Sequence, residues 1–130
     1  MSTVINRYFD AFNAGDMDAM LDCVTEDVVH HVNQGEIRTG KQAFAEFLGM
    51  MNTHYRETAR DIVIFSTEAE DRAAAEFVID GAYLTTAEGL PPANGQTYTL
   101  PVGSFFEIRA GRIARVTTYY NLADWTAQVG

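Results

Sequence analysis

Asn6 to Asp16 reads NRYFDAFNAGD, and the fold turns on how this stretch is read. With Val4 and Ile5 just upstream, Tyr8, Phe9 and Phe12 recur at spacings of three and four residues. They therefore form one stripe of an amphipathic helix, and Gly15 stands just past its end as a stop. Tyr8 is the polar aromatic on that stripe. A phenol among hydrophobes must find a hydrogen-bond partner or direct its hydroxyl into a polar cavity, since burying it unpaired costs roughly 1–3 kcal/mol. Two readings stay open: a core tyrosine with a satisfied hydroxyl, or a donor facing a pocket.

Outward from this helix, Met17, Met20, Leu21 and Val24 predict a second short helical stripe, and Val28 to Asn33 read as a strand. A third helix is expected over Lys41 to Asn52, started at Thr39 or Gly40 and burying Phe44, Phe47, Leu48 and Met51. From Arg56 the period changes to two. Strands follow over Arg56 to Phe65, Arg72 to Thr85, Gln96 to Arg109 and Arg112 to Asn121, with turns at Glu68 to Asp71 and Ala110-Gly111. Gly89 to Gly95 (GLPPANG) is a loop, because Pro91 and Pro92 withhold backbone donors. Pro101, inside a strand-like run, predicts an edge or a bulge that bends the sheet. In the tail, Asn121 is a candidate N-cap before Leu122, Trp125 and Val129 at helical spacing. The sum is an α+β chain with three N-terminal helices packed on one face of a strongly bent, mostly antiparallel sheet.

With 130 residues, a single domain over residues 1–130 is expected, burying roughly two thirds of the surface its unfolded form exposes. A net charge of −9 argues against nucleic acid or an anionic membrane as partner, since both need clustered Lys and Arg. Cys23 is the one cysteine, so no disulfide can form within the chain, and its place in an apolar run favours a packed thiol. No basic start with an apolar run opens the sequence, and nowhere do eighteen apolar residues follow one another, so a cytoplasmic location is expected.

The helix Arg7, Tyr8, Asn13, Ala14, Gly15, Asp16, in the pattern RYxxxxNAGD, resembles the first helix of the ketosteroid isomerase and nuclear transport factor 2-like superfamily, also called SnoaL-like. Ala73 to Leu84 (AAAEFVIDGAYL), Glu88 to Tyr98 (EGLPPANGQTY) and Val116 to Trp125 (VTTYYNLADW) are similar to an uncharacterised, ketosteroid isomerase-related branch of it. The resemblance covers nearly the whole chain. It implies a cone-shaped fold, a homodimer and an oxyanion-binding role for Tyr8. The ketosteroid isomerase site combines an Asp base with a Tyr and a protonated Asp that hold the enolate oxygen. Aligned from Asp27, the position of the base falls on Val32. Counted back from the hairpin Ala110-Gly111-Arg112, the protonated Asp falls on Gly103. Both carboxyl groups are thus replaced, and steroid isomerisation by the known route is not expected.

Period-two alternation sorts the remaining candidates. His30 and His31 are adjacent in a strand, so they face opposite sides and cannot chelate one metal. His30 shares a face with Val28 and Val32, and imidazole titrates near enough to neutrality to serve as base or acid. A histidine held by a backbone carbonyl, or partly exposed at the strand, is the alternative. The pocket wall is expected to include Val32, Phe77, Tyr83, Gly103, Phe105, Val116, Thr118 and Tyr120, with Ile79 and Gly81 in the apolar row of Phe77 and Tyr83. Glu76, Val78 and Asp80 would face away. Glu107 shares the parity of Gly103 and Phe105, and is either an inward carboxylate that orients His30 or a solvated one.

No GxSxG elbow, phosphate-binding loop, GxGxxG or HExxH helix is present, so serine hydrolysis, nucleotide binding and zinc proteolysis lack their parts. No cofactor and no metal are expected. One reading is a cofactor-independent isomerase or lyase acting by proton transfer on a small apolar carbonyl compound, with His30 moving the proton and Tyr8 binding the oxyanion. The other is a binding module for a hydrophobic small molecule, or a dimeric interaction domain, in which Tyr8 and His30 satisfy one another in the core. An open hollow reaching both side chains separates the two.

Overall fold

The computed structural model describes residues 3–130. In chain order the elements are α1 (Thr3–Ala14), α2 (Met17–Asp22), β1 (Val24–Val32), β2 (Ile37–Thr39), α3 (Lys41–His54), β3 (Tyr55–Ser66), β4 (Arg72–Tyr83), β5 (Thr97–Arg109), β6 (Arg112–Tyr119) and α4 (Leu122–Val129). The strands form one curved sheet in the order β2-β1-β6-β5-β4-β3. Every neighbouring pair is antiparallel except β1 with β6. The α+β class and the three N-terminal helices are as expected, and the tail adds a fourth. Two elements differ. β1 begins at Val24 rather than Val28, because a register shift between Val24 and Val29 interrupts the alternation that would reveal its start. β2 is three residues long, too short to show a period.

Each polar residue of the NAGD string has a structural task. Asn13, at the end of α1, reaches the edge strand β3, where its amide accepts from the Ala59 N–H at 2.7 Å and donates to the Ala59 carbonyl at 2.9 Å. This pairs an edge peptide that would otherwise face no strand. Gly15 takes a positive φ of 68° at the turn. Asp16 then caps α2 by accepting from the Ala19 N–H at 3.0 Å. Pinned in this way, α1 lays Val4, Ile5, Tyr8 and Phe9 against the sheet.

Pro101 is not at an outer edge of the sheet and creates no bulge in the β4–β5 ladder, where it opposes Val78. The expectation is corrected by the length of β6. Pairing of β5 with β6 begins only at Gly103, so on that side Pro101 lies beyond the ladder and its missing donor breaks no strand bond. Two residues earlier the gap is filled by α4, whose Gln128 amide bonds both the N–H and the carbonyl of Thr99 at 2.9 Å. A side chain stands in for a strand there and fixes α4 across the open end of the sheet.

Candidate functional site

A cavity of about 560 Å³ lies between the inner face of the sheet and the helices α1, α3 and α4. Six of the residues expected at the site line it: Tyr8, His30, Val32, Phe77, Thr118 and Tyr120. The hollow therefore reaches both Tyr8 and His30, and the cone is not filled.

His30 is 4% exposed and stands on β1 with its ring edge-to-face against Phe47 and Phe44, at centroid distances of 4.4 and 5.0 Å. Its Nδ1 is buried without a hydrogen-bond partner, and the residue lines the cavity. Burial pushes its pKa down to about 4, helped by the nearby positive charge of Arg38 and by His31. The imidazole is thus neutral at physiological pH and able to accept a proton. His31 points the other way and meets the Gly35 carbonyl at 3.0 Å.

A stability effect follows from the depressed value. Because the folded state holds the imidazole neutral between about 4 and 6.5 while the unfolded chain binds a proton there, this group's contribution is complete above 6.5 and is lost as pH falls towards 4. The loss is about 3 kcal/mol at its limit. Glu57, whose pKa is raised by burial, contributes with the opposite sign. Urea unfolding at pH 7 and pH 4 is therefore compared between the parent protein and a His30→Leu variant that retains Glu57. The parent is expected to lose about 3 kcal/mol more than the variant, and equal losses would show that His30 does not titrate on unfolding.

Tyr8 packs edge-to-face on Phe9 and Phe106, at 5.8 and 5.9 Å. Burial raises its pKa, with a smaller contribution from Cys23, so the hydroxyl stays protonated and donates. Among the described residues no hydrogen bond joins the phenol to His30 or to any other side chain, and Tyr8 lines the cavity. Tyr8 and His30 thus share the cavity without a hydrogen bond between them among the described residues.

Four expected wall residues are elsewhere. Gly103 and Phe105 lie on the outer face of β5, with Phe105 46% exposed, because the inward row is Leu100, Val102, Ser104 and Phe106. These residues oppose the inward Ile79, Phe77, Ala75 and Ala73 of β4. The count from the hairpin fails by one residue, and next to that hairpin the β5–β6 register itself slips between Glu107 and Ile108. Phe105 and Phe106 are both apolar, so hydrophobicity at that point does not choose a face. The alternation of Leu100, Val102, Ser104 and Phe106 against Thr99, Pro101, Gly103 and Glu107 would have chosen it. Val116 has the expected side but is packed into the core beneath the wall. Tyr83 is fully buried, its hydroxyl donating to the Pro91 carbonyl at 2.7 Å and accepting from the Ala87 N–H at 2.9 Å, so it anchors the loop after β4. Glu107 stays outside, ion-paired with Arg72 and Arg115 at 3.1 Å.

Two polar pairs at the cavity escaped the sequence reading. Ser104 on β5 and Thr118 on β6 face each other in register, with their hydroxyl oxygens 2.8 Å apart. Two hydroxyls joined by one hydrogen bond leave one proton free for a ligand. At the other end, Tyr98 donates to Glu57 at 2.5 Å, and Glu57 lines the cavity with Tyr55, Tyr120 and Trp125. Glu57 is 41 residues from Tyr98 in sequence, so its partner depends on strand register.

Residues 5–116 match the family model described as the SnoaL-like domain. Among solved structures, a Pseudomonas putida protein provisionally named a polyketide cyclase is 55% identical, with 99% of this chain and 97% of that one covered and a TM-score of 0.98. A protein of the same provisional name from a Silicibacter species is 59% identical, with 98% and 93% covered and a TM-score of 0.95. A phenazine biosynthesis-related protein of Pseudomonas aeruginosa shares the fold at 18% identity, with 97% and 82% covered and a TM-score of 0.81. No protein of curated function matches the sequence. Among the described residues, no helix is long and apolar enough to cross a membrane.

Proposed function

The chain belongs to the SnoaL-like domain family, and from that premise we propose that it is a cofactor-independent catalyst of proton transfer at carbon next to a carbonyl, acting on a small apolar, polyketide-like molecule. The observation that carries this reading is the open cavity reaching both the uncommitted Tyr8 hydroxyl and the neutral imidazole of His30. In the proposed step His30 Nε2 removes a proton from the α-carbon, the C–H pair becomes the enolate double bond, and the carbonyl π pair moves onto oxygen. Tyr8 donates a hydrogen bond to that oxygen, and the free proton of the Ser104–Thr118 pair is a second donor within the same cavity. Reprotonation at another carbon completes an isomerisation. Attack of the enolate carbon on a second carbonyl, whose oxygen takes the proton back from His30, completes a cyclisation.

The weak basicity of His30 favours an acidic carbon, such as a methylene between two carbonyls, over an ordinary ketone. The provisional name of the relatives at 55% and 59% identity supports the cyclising outcome. Val32, where the ketosteroid isomerases are expected to carry their base, lines the cavity without proton-transfer chemistry, and His30 is two residues away on the same face. Turnover of a substrate confirmed with the parent protein, repeated with Tyr8→Phe and His30→Ala, tests the assignment; unchanged turnover in both rejects it.

A homodimer is part of the same proposal. The outer face of the sheet carries Phe65, Phe105 and Tyr119, each more than 40% exposed, and Phe105 packs edge-to-face on Tyr119 at 5.9 Å. Such a patch calls for cover. Light scattering is expected to give twice the chain mass, with Phe105→Glu giving the single mass; a monomeric parent protein refutes this part.

A further inference from the structure

Glu57, Gly81 and Tyr98 occupy one row across three neighbouring strands, since Glu57 pairs with Gly81 and Gly81 with Tyr98. The middle position has no side chain, and Tyr98 uses that space. A Cβ on Gly81 would lie 2.3 Å from Cζ of Tyr98 and 2.6 Å from its hydroxyl oxygen. The ring therefore crosses β4 over the glycine, meets Trp125 at 5.9 Å on the way, and places its O–H on Oε2 of Glu57. Among the described residues Oε1 has no hydrogen-bond partner, and Glu57 lines the cavity. A carboxyl group has been fixed by a tyrosine with half of its acceptor capacity open to the hollow. The proton transfer proposed at His30 makes no use of it.

The row is distant from the reacting end. On β5, Tyr98 is six residues from Ser104 on the same face, which is about 20 Å along a strand. Between them the wall is apolar, made by Leu100 and Val102 with Phe77 and Ile79 of β4. A ligand that satisfies both ends is elongated, apolar in the middle and oxygenated at each end.

We propose that Glu57, held by Tyr98, is a second binding site of the cavity and takes a hydroxyl group at the end of the ligand remote from the reacting carbonyl. It rests on reading the cavity as a substrate site, but not on the chemistry of His30. Oε1 accepts the ligand hydroxyl proton, while the Tyr98 hydroxyl keeps Oε2 occupied and the carboxyl plane fixed.

Calorimetric titration with 4-acetyl-4′-hydroxybiphenyl and its 4′-methyl ether tests the site. The parent protein is expected to bind the phenol about tenfold more tightly than the ether. In the double variant Glu57→Leu/Tyr98→Phe, which removes both partners of that hydrogen bond together, that preference is expected to vanish. In His30→Ala it is expected to persist. Where the compounds bind, three outcomes overturn the proposal: no preference in the parent protein, a preference that survives the double variant, or one lost in His30→Ala instead. The last would place the hydroxyl at the proton-transfer end and leave the cavity reading intact, whereas binding of neither compound would remove both.

Discussion

His30→Ala is expected to lower the rate of α-proton removal by about 10²–10⁴-fold, and Tyr8→Phe by about 10²–10³-fold. The two effects differ in kind. Removing the imidazole deletes the group that takes the proton, so a small added base such as imidazole, free to enter the space between Phe44 and Phe47, should restore part of the rate in His30→Ala. Tyr8→Phe leaves the base in place and removes a hydrogen bond that strengthens only as charge moves onto oxygen, so it lowers kcat with little change in KM. Neither change should unfold the protein. Among the described residues the Tyr8 hydroxyl has no partner to orphan, and His30 Nδ1 is already unpaired. A shared tenfold effect on KM with kcat untouched would mean that both residues only bind.

Gly81→Ala is expected to destabilise by about 2–4 kcal/mol, combining overpacking with loss of the Tyr98–Glu57 hydrogen bond. For a chain of this length the melting temperature should fall by roughly 8–15 °C. Backbone geometry is not the cause, since Gly81 has no positive φ, and the obstacle is the Tyr98 ring. Gly103→Ala is the matched control. Gly103 lies one strand away, a Cβ there would meet nothing within 4 Å, and the change should be neutral or slightly stabilising. Equal losses at the two glycines, measured by thermal unfolding, would show that the Tyr98 crossing is not what makes Gly81 necessary.

What could be read from the sequence followed from local patterns. The α1 stripe placed Tyr8 inside, and strand parity placed His30 and Val32 on the same side, because each inference needed only a few residues of unbroken period. The NAGD string marked the end of α1, although the bond from Asn13 to Ala59, 46 residues away, lies beyond any local pattern. On β5 a count carried back from the hairpin overrides the strand's own alternation and puts Gly103 and Phe105 on the wrong face. Glu57 and Tyr98 are illegible in the sequence for another reason. Neither residue carries a motif, and their meeting requires three strands in one register with a glycine in the middle. Ser104 is a similar case, since its significance comes from Thr118 on the neighbouring strand.

The central claim is that His30 removes a proton from carbon while Tyr8 holds the oxygen. It is tested most directly by following, through the enol absorbance, the relaxation of the keto form of 1-phenylbutane-1,3-dione. The parent protein is expected to accelerate enol formation in a saturable manner, His30→Ala to reduce that acceleration at least 100-fold, and Tyr8→Phe to reduce it by a similar factor. Equal acceleration by the parent protein and both variants, or none by a parent protein shown to bind the diketone, would contradict it.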